Sequence, residues 1–291
     1  MLTSQDVFFQ PLRAFLQMTK TANIEELKEI ARQLRVDCLK MLHKAKSGHT
    51  GGPLGIMDII TALYFSAMRI DPKNPHWADR DRFILANGHC CPAIYVALSK
   101  AGYFPKEELD HLRQIGSPLQ GHPKLKVEWG IEMSTGSLGQ GMSVGNGIAL
   151  AGRLDKKDYW IYSMHSDGEA QEGMLWEAAL SAAQFKLDKR ICFLDFNGIQ
   201  IDGFNKDIKD VSPLEDKFLA FRWAVRSIDG HDMAEILDAI EWAKKTPGKP
   251  KMIIAKTILG KGVSIFENLP KYHGVAPSDE ELKIALKELG E

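Results

Sequence analysis

The chain has 291 residues, of which 44% are hydrophobic, and its 37 basic and 38 acidic side chains leave a formal net charge of −1. This composition allows a substantial core and lacks the basic excess of a typical nucleic-acid-binding protein. No stretch approaches the roughly 18 unbroken apolar residues of a membrane helix, and the N-terminus shows no signal-peptide pattern. The four cysteines form no CxxC pair and are interpreted as small buried residues in a reducing compartment. We therefore expect no nucleic-acid partner, no membrane partner and a cytoplasmic location.

The first predicted element is a helix that begins near Asn23. Residues 1–22 precede it without a clear period; a docking arm, an overextended start and a disordered tail are open interpretations, and a flexible extension is preferred. After Asn23, a capping residue, apolar side chains recur at helical spacing as far as Ser47-Gly48, where a glycine-rich loop begins. A second apolar-periodic segment covers 55–68. We predict one domain over residues 23–291.

Strands and helices then alternate along the chain. Short apolar runs predict five buried strands, at 83–86, 159–164, 191–196, 223–228 and 252–255. Helical segments separate several of them, so we predict an α/β fold with a mostly parallel sheet and helices on both faces. The polar residues that follow these strands are expected at the carboxyl edge of the sheet, where open α/β sheets bind ligands. They are Asn87, His89, Asp167, Asn197 and His231.

The segment from Asp167 to Asn197 carries the most specific signal. One strand ends at Asp167-Gly168-Glu169, a helix follows, and the next strand ends at Asn197, so the two polar side chains are expected side by side. A carboxylate, an amide oxygen and a backbone carbonyl are hard ligands that suit Mg²⁺ or Ca²⁺. The glycine and the start of the helix favour a diphosphate. Glu169 and Glu172 would repel that anion, so we expect both to point elsewhere.

These residues resemble the thiamine-diphosphate motif, whose usual form is Gly-Asp-Gly followed by Asn. Ser166 stands here at the first glycine of that pattern. The resemblance implies thiamine diphosphate as the cofactor, with Gly168 on its diphosphate. It also implies Mg²⁺, with Ca²⁺ as a possible substitute, held by Asp167, Asn197 and the Ile199 carbonyl.

Further segments resemble transketolase, in the order in which that family has them. They lie at 47–55, 87–89, 121–123, 134–141, 167–173 and 272–274. By this resemblance His49 and His273 serve the donor C3 hydroxyl and the acceptor carbonyl, while His122 holds the C1 hydroxyl. Imidazoles beside glycine loops suit the proton transfers of ketol transfer.

The same resemblance assigns the remaining site residues. His89 is expected at the diphosphate, and Gly136, Ser137 and Leu138 at the aminopyrimidine ring. Glu172 and Glu177 match glutamates near the dimer interface. The glycine-rich helix predicted over 138–152 is interpreted as packing closely against another backbone, as at a subunit interface. Asn87 and Leu259 stand where some transketolases have lysine, and His165 stands where the family usually has an apolar residue.

The resemblance implies transfer of a two-carbon ketol unit from a ketose phosphate to an aldose phosphate, as in the pentose phosphate pathway. A dihydroxyacetone synthase or an unusual-ketose transketolase remains an alternative. Deoxyxylulose-phosphate synthase is disfavoured because the histidine loops follow transketolase throughout. A non-catalytic cofactor-binding subunit is disfavoured by the intact site residues. No GxGxxG follows a strand, which disfavours a nucleotide-binding oxidoreductase.

The resemblance covers about the first half of a full transketolase. The glutamate that contacts the pyrimidine ring belongs in that family to a second domain. We therefore expect a partner, a C-terminal transketolase subunit that carries the pyrimidine domain and most of the sugar-phosphate contacts. Two copies of each chain are expected, because closed two-fold assembly is common. A fragment of a longer protein is the alternative.

Overall fold

The computed structural model describes residues 23–291, so the prediction of a flexible extension over 1–22 lies outside the described residues. Five parallel strands form a sheet in the order β1-β2-β3-β7-β6, and β4 and β5 form a small antiparallel pair. The strands are β1 Arg82–Leu85, β2 Ile161–Ser166, β3 Arg190–Phe196, β4 Ile199–Gln200, β5 Gly203–Phe204, β6 Ala224–Asp229 and β7 Lys251–Lys256. All five predicted strands are present, and the predicted fold class is confirmed.

Helices connect these strands. They are α1 Ile24–Ala45, α2 Gly51–Gly55, α3 Met57–Ala62, α4 Cys91–Ala101, α5 Gln140–Leu154, α6 Gly173–Gln184, α7 Asn205–Ile208, α8 Leu214–Ala220, α9 Met233–Lys245 and α10 Asp279–Glu288. Helix α1 begins with a capping box, in which the Asn23 side chain accepts from Glu26 N–H and the Glu26 side chain accepts from Asn23 N–H. Of the helices between 23 and 291, none is long and apolar enough to cross a membrane.

Side chains of the central strands alternate between two apolar cores, as the period of a strand requires. On β3, Ile191 and Phe193 pack into the core that α1, α3, α4 and α9 cover. Cys192 and Leu194 point to the opposite face and pack with α5, α6 and α8. Helices therefore cover both faces of the sheet, as predicted.

A third, smaller core fixes the chain segment that ends at His273. Tyr272 packs against Phe266, with ring centroids 4.5 Å apart, in a cluster with residues of α1 and α10. The Tyr272 hydroxyl donates to Glu281 Oε1 at 2.5 Å. The residue before His273 is thus anchored, which places that histidine at the edge of the sheet.

Helix α5 lies very close to its own sheet through three glycines. A Cβ at Gly141 would overlap Ala86, one at Gly145 would overlap Arg190, and one at Gly152 would lie 2.6 Å from the Tyr159 ring. The close approach predicted for this helix is therefore made by these glycines to strands and flanking residues of the same chain. The interface role of the helix stays a prediction.

Candidate active site

A cavity of about 370 Å³ opens at the carboxyl ends of β1, β2 and β3. Most of the residues predicted for the site line it. They are His49, His89, His122, Gly136, Leu138, Asp167, Gly168, Glu172, Asn197, Ile199 and His273. Ser137 and Glu177, also predicted, are not among its lining residues. The topology therefore brings together loops that are separated by more than two hundred positions in sequence.

Asp167 and Asn197 lie beside each other, because β2 and β3 are neighbours in the sheet. Asp167 is 1% exposed, and its carboxylate accepts from Gly168 N–H at 2.7 Å and from Gly198 N–H at 2.6 Å. The Asn197 amide oxygen accepts from Ile199 N–H at 2.8 Å. The strand-end neighbourhood expected from the sequence is thus present in the structure.

Asp195 is a second buried carboxylate at this edge, and the sequence reasoning missed it. It lies near the end of β3, accepts from Asn197 Nδ2 at 2.9 Å, and accepts from the Thr257 hydroxyl. These contacts fix which way the Asn197 amide faces. The sequence feature that could have identified Asp195 is a charged residue near the carboxyl end of an otherwise apolar strand.

The electrostatics of this edge fit a cation. Burial raises the pKa of Asp167 to about 6, against the effect of its backbone hydrogen bonds. Burial, with the nearby charge of Asp167, raises the pKa of Asp195 to about 7. Two adjacent buried carboxylates are unfavourable without a counter-charge. No group of three or more His, Cys, Asp or Glu side chains between 23 and 291 forms a metal site by itself. Amide and backbone oxygens would therefore have to complete a set of hard ligands suited to Mg²⁺ or Ca²⁺.

Four histidines form a cluster on the other side of the cavity. The His49 ring centroid lies 5.1 Å from that of His89, 5.7 Å from His273 and 6.4 Å from His122. Burial, with the neighbouring His273, Arg113 and His122, lowers the pKa of His49 to about 4. Burial also lowers the pKa of His89, His122 and His273. These shifts all favour the neutral, proton-accepting form of the imidazole.

Two of these imidazoles have buried nitrogens with no hydrogen-bond partner within the described part of the chain. They are Nδ1 of His49 and Nδ1 of His273. Both side-chain atoms of the buried Asn87 amide also lack a partner there. Buried polar atoms are normally paired, so this part of the site fits a polar ligand that supplies the missing contacts.

The 136–139 loop lies against the histidine cluster. Gly136 has φ +159°, and a Cβ at this position would lie 3.5 Å from the His122 ring. A Cβ at Gly88 would lie 3.0 Å from Gly136 N. A side chain at Gly88 would therefore collide with the loop, whereas at Gly136 it is the positive φ and not the space that disfavours a side chain. Gly136 and Leu138 line the cavity.

The three glutamates that follow Asp167 in sequence have different surroundings. Glu169 is fully buried and accepts from Gly139 N–H at 2.7 Å, so it points away from the cavity as expected. Glu172 is exposed and lines the cavity, so for this residue the expectation is wrong. Glu177 is exposed on α6.

The helix start also differs from the prediction. Helix α6 begins only at Gly173, because a 3₁₀ turn over Glu169–Gln171 comes first. The N-terminus of α6 therefore does not directly follow Gly168. The Gly168 N–H itself donates to Asp167, so it supports the carboxylate.

His231 follows a strand as predicted but is not part of this cavity. Its Nε2 accepts from Ile258 N–H at 2.8 Å, so Nδ1 carries the proton and donates to Asp58 Oδ2 at 2.9 Å. Asp58 also pairs with Arg35 through two hydrogen bonds. The imidazole therefore joins the loop after β7 to α3 and α1, which is a structural role.

His165 lies on β2, directly before the turn Ser166-Asp167-Gly168, which is called the diphosphate turn below. It is fully buried, and its Nδ1 lies 3.0 Å from Glu169 Oε2. Burial is the largest single influence and lowers the pKa of this imidazole, but the Glu169 charge and the hydrogen bonds to Cys192 and Glu169 together outweigh it and raise the pKa to about 9. The side chain thus pairs with a carboxylate inside the protein.

Arg113 stands near the histidines and was not singled out from the sequence. Its Nη1 donates to Ser47 Oγ at 2.9 Å. Its guanidinium packs against Gly121, where an added Cβ would lie only 2.8 Å from it. Its positive charge contributes to the low pKa of His49 and His122. Arg113 is exposed and is not among the residues that line the cavity, so it is a cation close to the histidines but outside the cavity wall.

The fold and the site together define a class of protein. A parallel α/β sheet carries two buried carboxylates, an asparagine amide, a glycine turn and four clustered histidines at one edge, which is an arrangement compatible with a thiamine-diphosphate-binding domain. The chain matches the family described as "Transketolase, thiamine diphosphate binding domain" over residues 26–291, and it belongs to that family.

Relatives include two proteins that are named as transketolase subunits. The 6-deoxy-6-sulfo-D-fructose transketolase subunit SqwG of Clostridium sp. is 46% identical, over 91% of this chain and 96% of that one. An apulose-4-phosphate transketolase subunit from Phocaeicola vulgatus is 39% identical, over 92% of this chain and 95% of that one. The crystal structure of transketolase from Campylobacter jejuni superposes with a TM-score of 0.86 at 37% identity. That match covers 92% of this chain and 43% of the solved chain.

Proposed function

We propose that this chain is the diphosphate-binding subunit of a transketolase, which moves a two-carbon ketol unit from a ketose phosphate to an aldose phosphate. The observation that carries the proposal is the cavity that joins the Asp167–Asn197 pair to four clustered histidines. Family membership and the near full-length likeness to transketolase subunits support it. A non-catalytic role is less well supported, because it leaves the histidine cluster without a purpose.

Thiamine diphosphate is the proposed cofactor, and when bound it supplies the carbanion chemistry that breaks and forms the carbon–carbon bond. Asp167, Asn197 and the Ile199 carbonyl would hold Mg²⁺, or Ca²⁺ in its place. Gly168 and His89 would lie at the diphosphate. Gly136, Ser137 and Leu138 would hold the aminopyrimidine ring, with Ser137 acting through its backbone because it does not line the cavity.

The histidines are proposed to move and hold protons on the sugar. His49 and His273 each have an unpaired buried Nδ1, and their depressed pKa leaves them as bases at neutral pH. We assign them to the donor C3 hydroxyl and the acceptor carbonyl. His122, less buried and beside Gly136, is assigned to the C1 hydroxyl.

The substrate is proposed to be a ketose with an anionic end. The two relatives act, by their names, on a sulfonated fructose and on apulose 4-phosphate. Arg113 is placed to meet such a group, because its guanidinium is exposed beside His49 and His122. A place in the pentose phosphate pathway and a cytoplasmic location are further parts of the proposal.

The partner is proposed to be a C-terminal transketolase subunit that carries the pyrimidine domain, with two copies of each chain. The two relatives named as subunits match this chain over nearly their whole lengths. The Campylobacter jejuni transketolase chain is more than twice as long as the matched part. Glu172 and Glu177, both exposed, would lie near the interface of the two halves.

A donor panel tests this function. The complex, loaded with thiamine diphosphate and Mg²⁺, is assayed with phosphorylated, sulfonated and uncharged ketoses against a common aldose phosphate acceptor. We expect transfer from at least one anionic donor, and an Arg113→Met variant should raise KM for that donor by about tenfold, as the loss of a charge-assisted contact predicts. The KM for an uncharged donor should not change. No transfer from any donor would refute the function, and an equal KM rise for both classes would refute the role of Arg113.

A further inference from the structure

The diphosphate turn and the 136–139 loop are separate chain segments that meet at the cavity. The turn follows β2 and contributes Ser166, Asp167 and Gly168, while the loop precedes α5 and contributes Gly136 and Leu138. One side chain joins them directly. Glu169 Oε1 accepts from Gly139 N–H at 2.7 Å, although the two residues lie thirty positions apart.

Because this contact is buried, the Glu169 carboxylate needs partners for both of its oxygens. Glu169 is 0% exposed, and a buried carboxylate is tolerated only when it is paired and hydrogen-bonded. Its Oε2 lies 3.0 Å from His165 Nδ1, and its Oε1 accepts from the N–H of Gly139, the N-cap residue of the fifteen-residue helix α5. The positive end of a helix dipole stabilises a negative charge at that place. Both carboxylate oxygens therefore have fixed partners.

His165 is held from its other side. Its Nε2 lies 2.9 Å from Ser163 Oγ, and Arg190 Nη2 donates to the same oxygen at 3.1 Å. His165, Ser163 and Arg190 are all 0% exposed. The imidazole thus has one position available, and it directs the Glu169 carboxylate towards Gly139.

We propose that the buried His165–Glu169 pair is a positioning device. It holds the diphosphate turn and the 136–139 loop in the spacing needed to bind thiamine diphosphate. His165 precedes the turn and Glu169 follows it, so the pair closes the turn while Glu169 also anchors the loop through Gly139. Neither side chain is among the residues that line the cavity. This inference rests on the proposed function for the identity of the cofactor.

The test is calorimetry of thiamine diphosphate binding to the assembled complex in Mg²⁺. We expect Glu169→Ala to raise Kd about tenfold, because the loop would have to be ordered by the cofactor itself. Turnover at saturating cofactor should stay within about threefold of wild type. Glu169→Gln keeps an oxygen for Gly139 N–H and should restore Kd to within about threefold of wild type.

Asn146→Ala is the matched control. It removes another buried hydrogen bond of α5, from Asn146 Nδ2 to Ala178 O at 2.8 Å, without touching Gly139. We expect it to lower Tm and leave Kd unchanged. If Glu169→Ala does not fold, His165→Gln replaces it and should raise Kd while speeding hydrogen exchange in 136–139.

Unchanged Kd in the folded variant would overturn the proposal, and so would an equal rise in Asn146→Ala. These outcomes are separate from those for the function. A wild-type complex that binds thiamine diphosphate but transfers no ketol unit would refute the proposed function, while a Kd raised in Glu169→Ala and not in Asn146→Ala would still support the positioning device.

Discussion

Asp167 is the residue on which cation binding is proposed to depend most. Its carboxylate is buried and accepts two backbone N–H groups, so its position is set by the fold. Asp167→Asn keeps the shape and removes the charge. A lost charged contact typically costs about 1.5–3 kcal/mol, so we expect the Mg²⁺-dependent affinity for thiamine diphosphate to fall roughly 10- to 100-fold.

Calorimetry on the complex at several Mg²⁺ concentrations measures this effect. Asp229→Asn is a suitable control, because Asp229 ends β6 at the same edge of the sheet but outside the cavity. The affinity of the Asp229→Asn complex for thiamine diphosphate should match that of the wild type. An Asp167→Asn complex that binds the cofactor as tightly as wild type would show that the cation site is assigned wrongly.

His49 and His273 are expected to affect turnover and not cofactor affinity. Proton-transfer groups typically contribute about 10²–10⁴-fold to rate, so alanine at either position should lower kcat on that scale with Kd for thiamine diphosphate nearly unchanged. His111→Ala, at an exposed position outside the cavity, serves as the control. Equal losses of affinity and turnover would mean that these histidines hold the cofactor.

The pH dependence follows from the depressed pKa of His49. The ordinary value is 6.5 and the folded value is about 4, so the imidazole stays a neutral base down to about pH 4. The unfolded chain binds the extra proton between pH 6.5 and 4, so this group lowers folding stability as pH falls through that window. As pH is lowered through this window, we expect the Tm of His49→Gln to fall less than the Tm of wild type. Thermal melts from pH 7 to 4.5 in which both Tm values fall equally would contradict this.

At single residues, sequence reasoning succeeded in placing polar side chains that follow strands. Asp167, Asn197 and the four cavity histidines were brought together by a motif and by the topology that it implies. Asp195 and Arg113 were missed, because neither lies in a glycine loop and their importance depends on neighbours distant in sequence. The contact of Glu169 with Gly139 could not be predicted, since it depends on how two loops pack.

Helix α5 shows why an element needs its glycines. Gly141 faces Ala86, where a Cβ would overlap both Cβ and Cα of that residue, whereas Gly147 has nothing within 4 Å. Overpacking typically costs about 1–3 kcal/mol, and a helical glycine costs roughly 0.5–1 kcal/mol relative to alanine. We therefore expect Gly141→Ala to lower the Tm of the isolated chain and Gly147→Ala to raise it.

Thermal unfolding of the two variants, compared with wild type, checks this contrast. The same pair tests the interface prediction, because Gly147 is exposed on α5. If Gly147→Ala stabilises the chain but weakens assembly with the partner, this face of the helix is an interface. A stabilised chain that assembles normally would remove α5 from the contact surface at that point.

The elements themselves were predictable to different degrees. Buried strands can be recognised from short apolar runs, and all five strands of the parallel sheet were predicted, although β2 begins two residues later than predicted. The strand order β1-β2-β3-β7-β6 is set by tertiary packing and was not available from periodicity. The late start of α6 was missed because the 3₁₀ turn before it carries the same residue types as a helix start.

At the scale of the whole molecule, the surface near the site fits a covering partner. The cavity is open, and Ile201 at its rim is 61% exposed. Met174 and Leu180 on α6 and Val144 on α5 are also exposed apolar side chains. An apolar side chain exposed at the rim of a cavity, as Ile201 is, is typical of a surface that a partner covers. Chemistry that requires water to be excluded would need this surface to be covered.

The final prediction is that activity requires a second polypeptide. With thiamine diphosphate and Mg²⁺, this chain alone should show no ketol transfer, because the pyrimidine side of the cofactor would be unsupported. Addition of a pyrimidine-domain subunit should produce activity that saturates at one partner per chain, and native mass should correspond to two copies of each. An Asp167→Asn chain should assemble to the same mass but need roughly 10- to 100-fold more thiamine diphosphate for activity, which separates assembly from cofactor loading. Full activity of this chain without any partner would defeat the two-subunit enzyme.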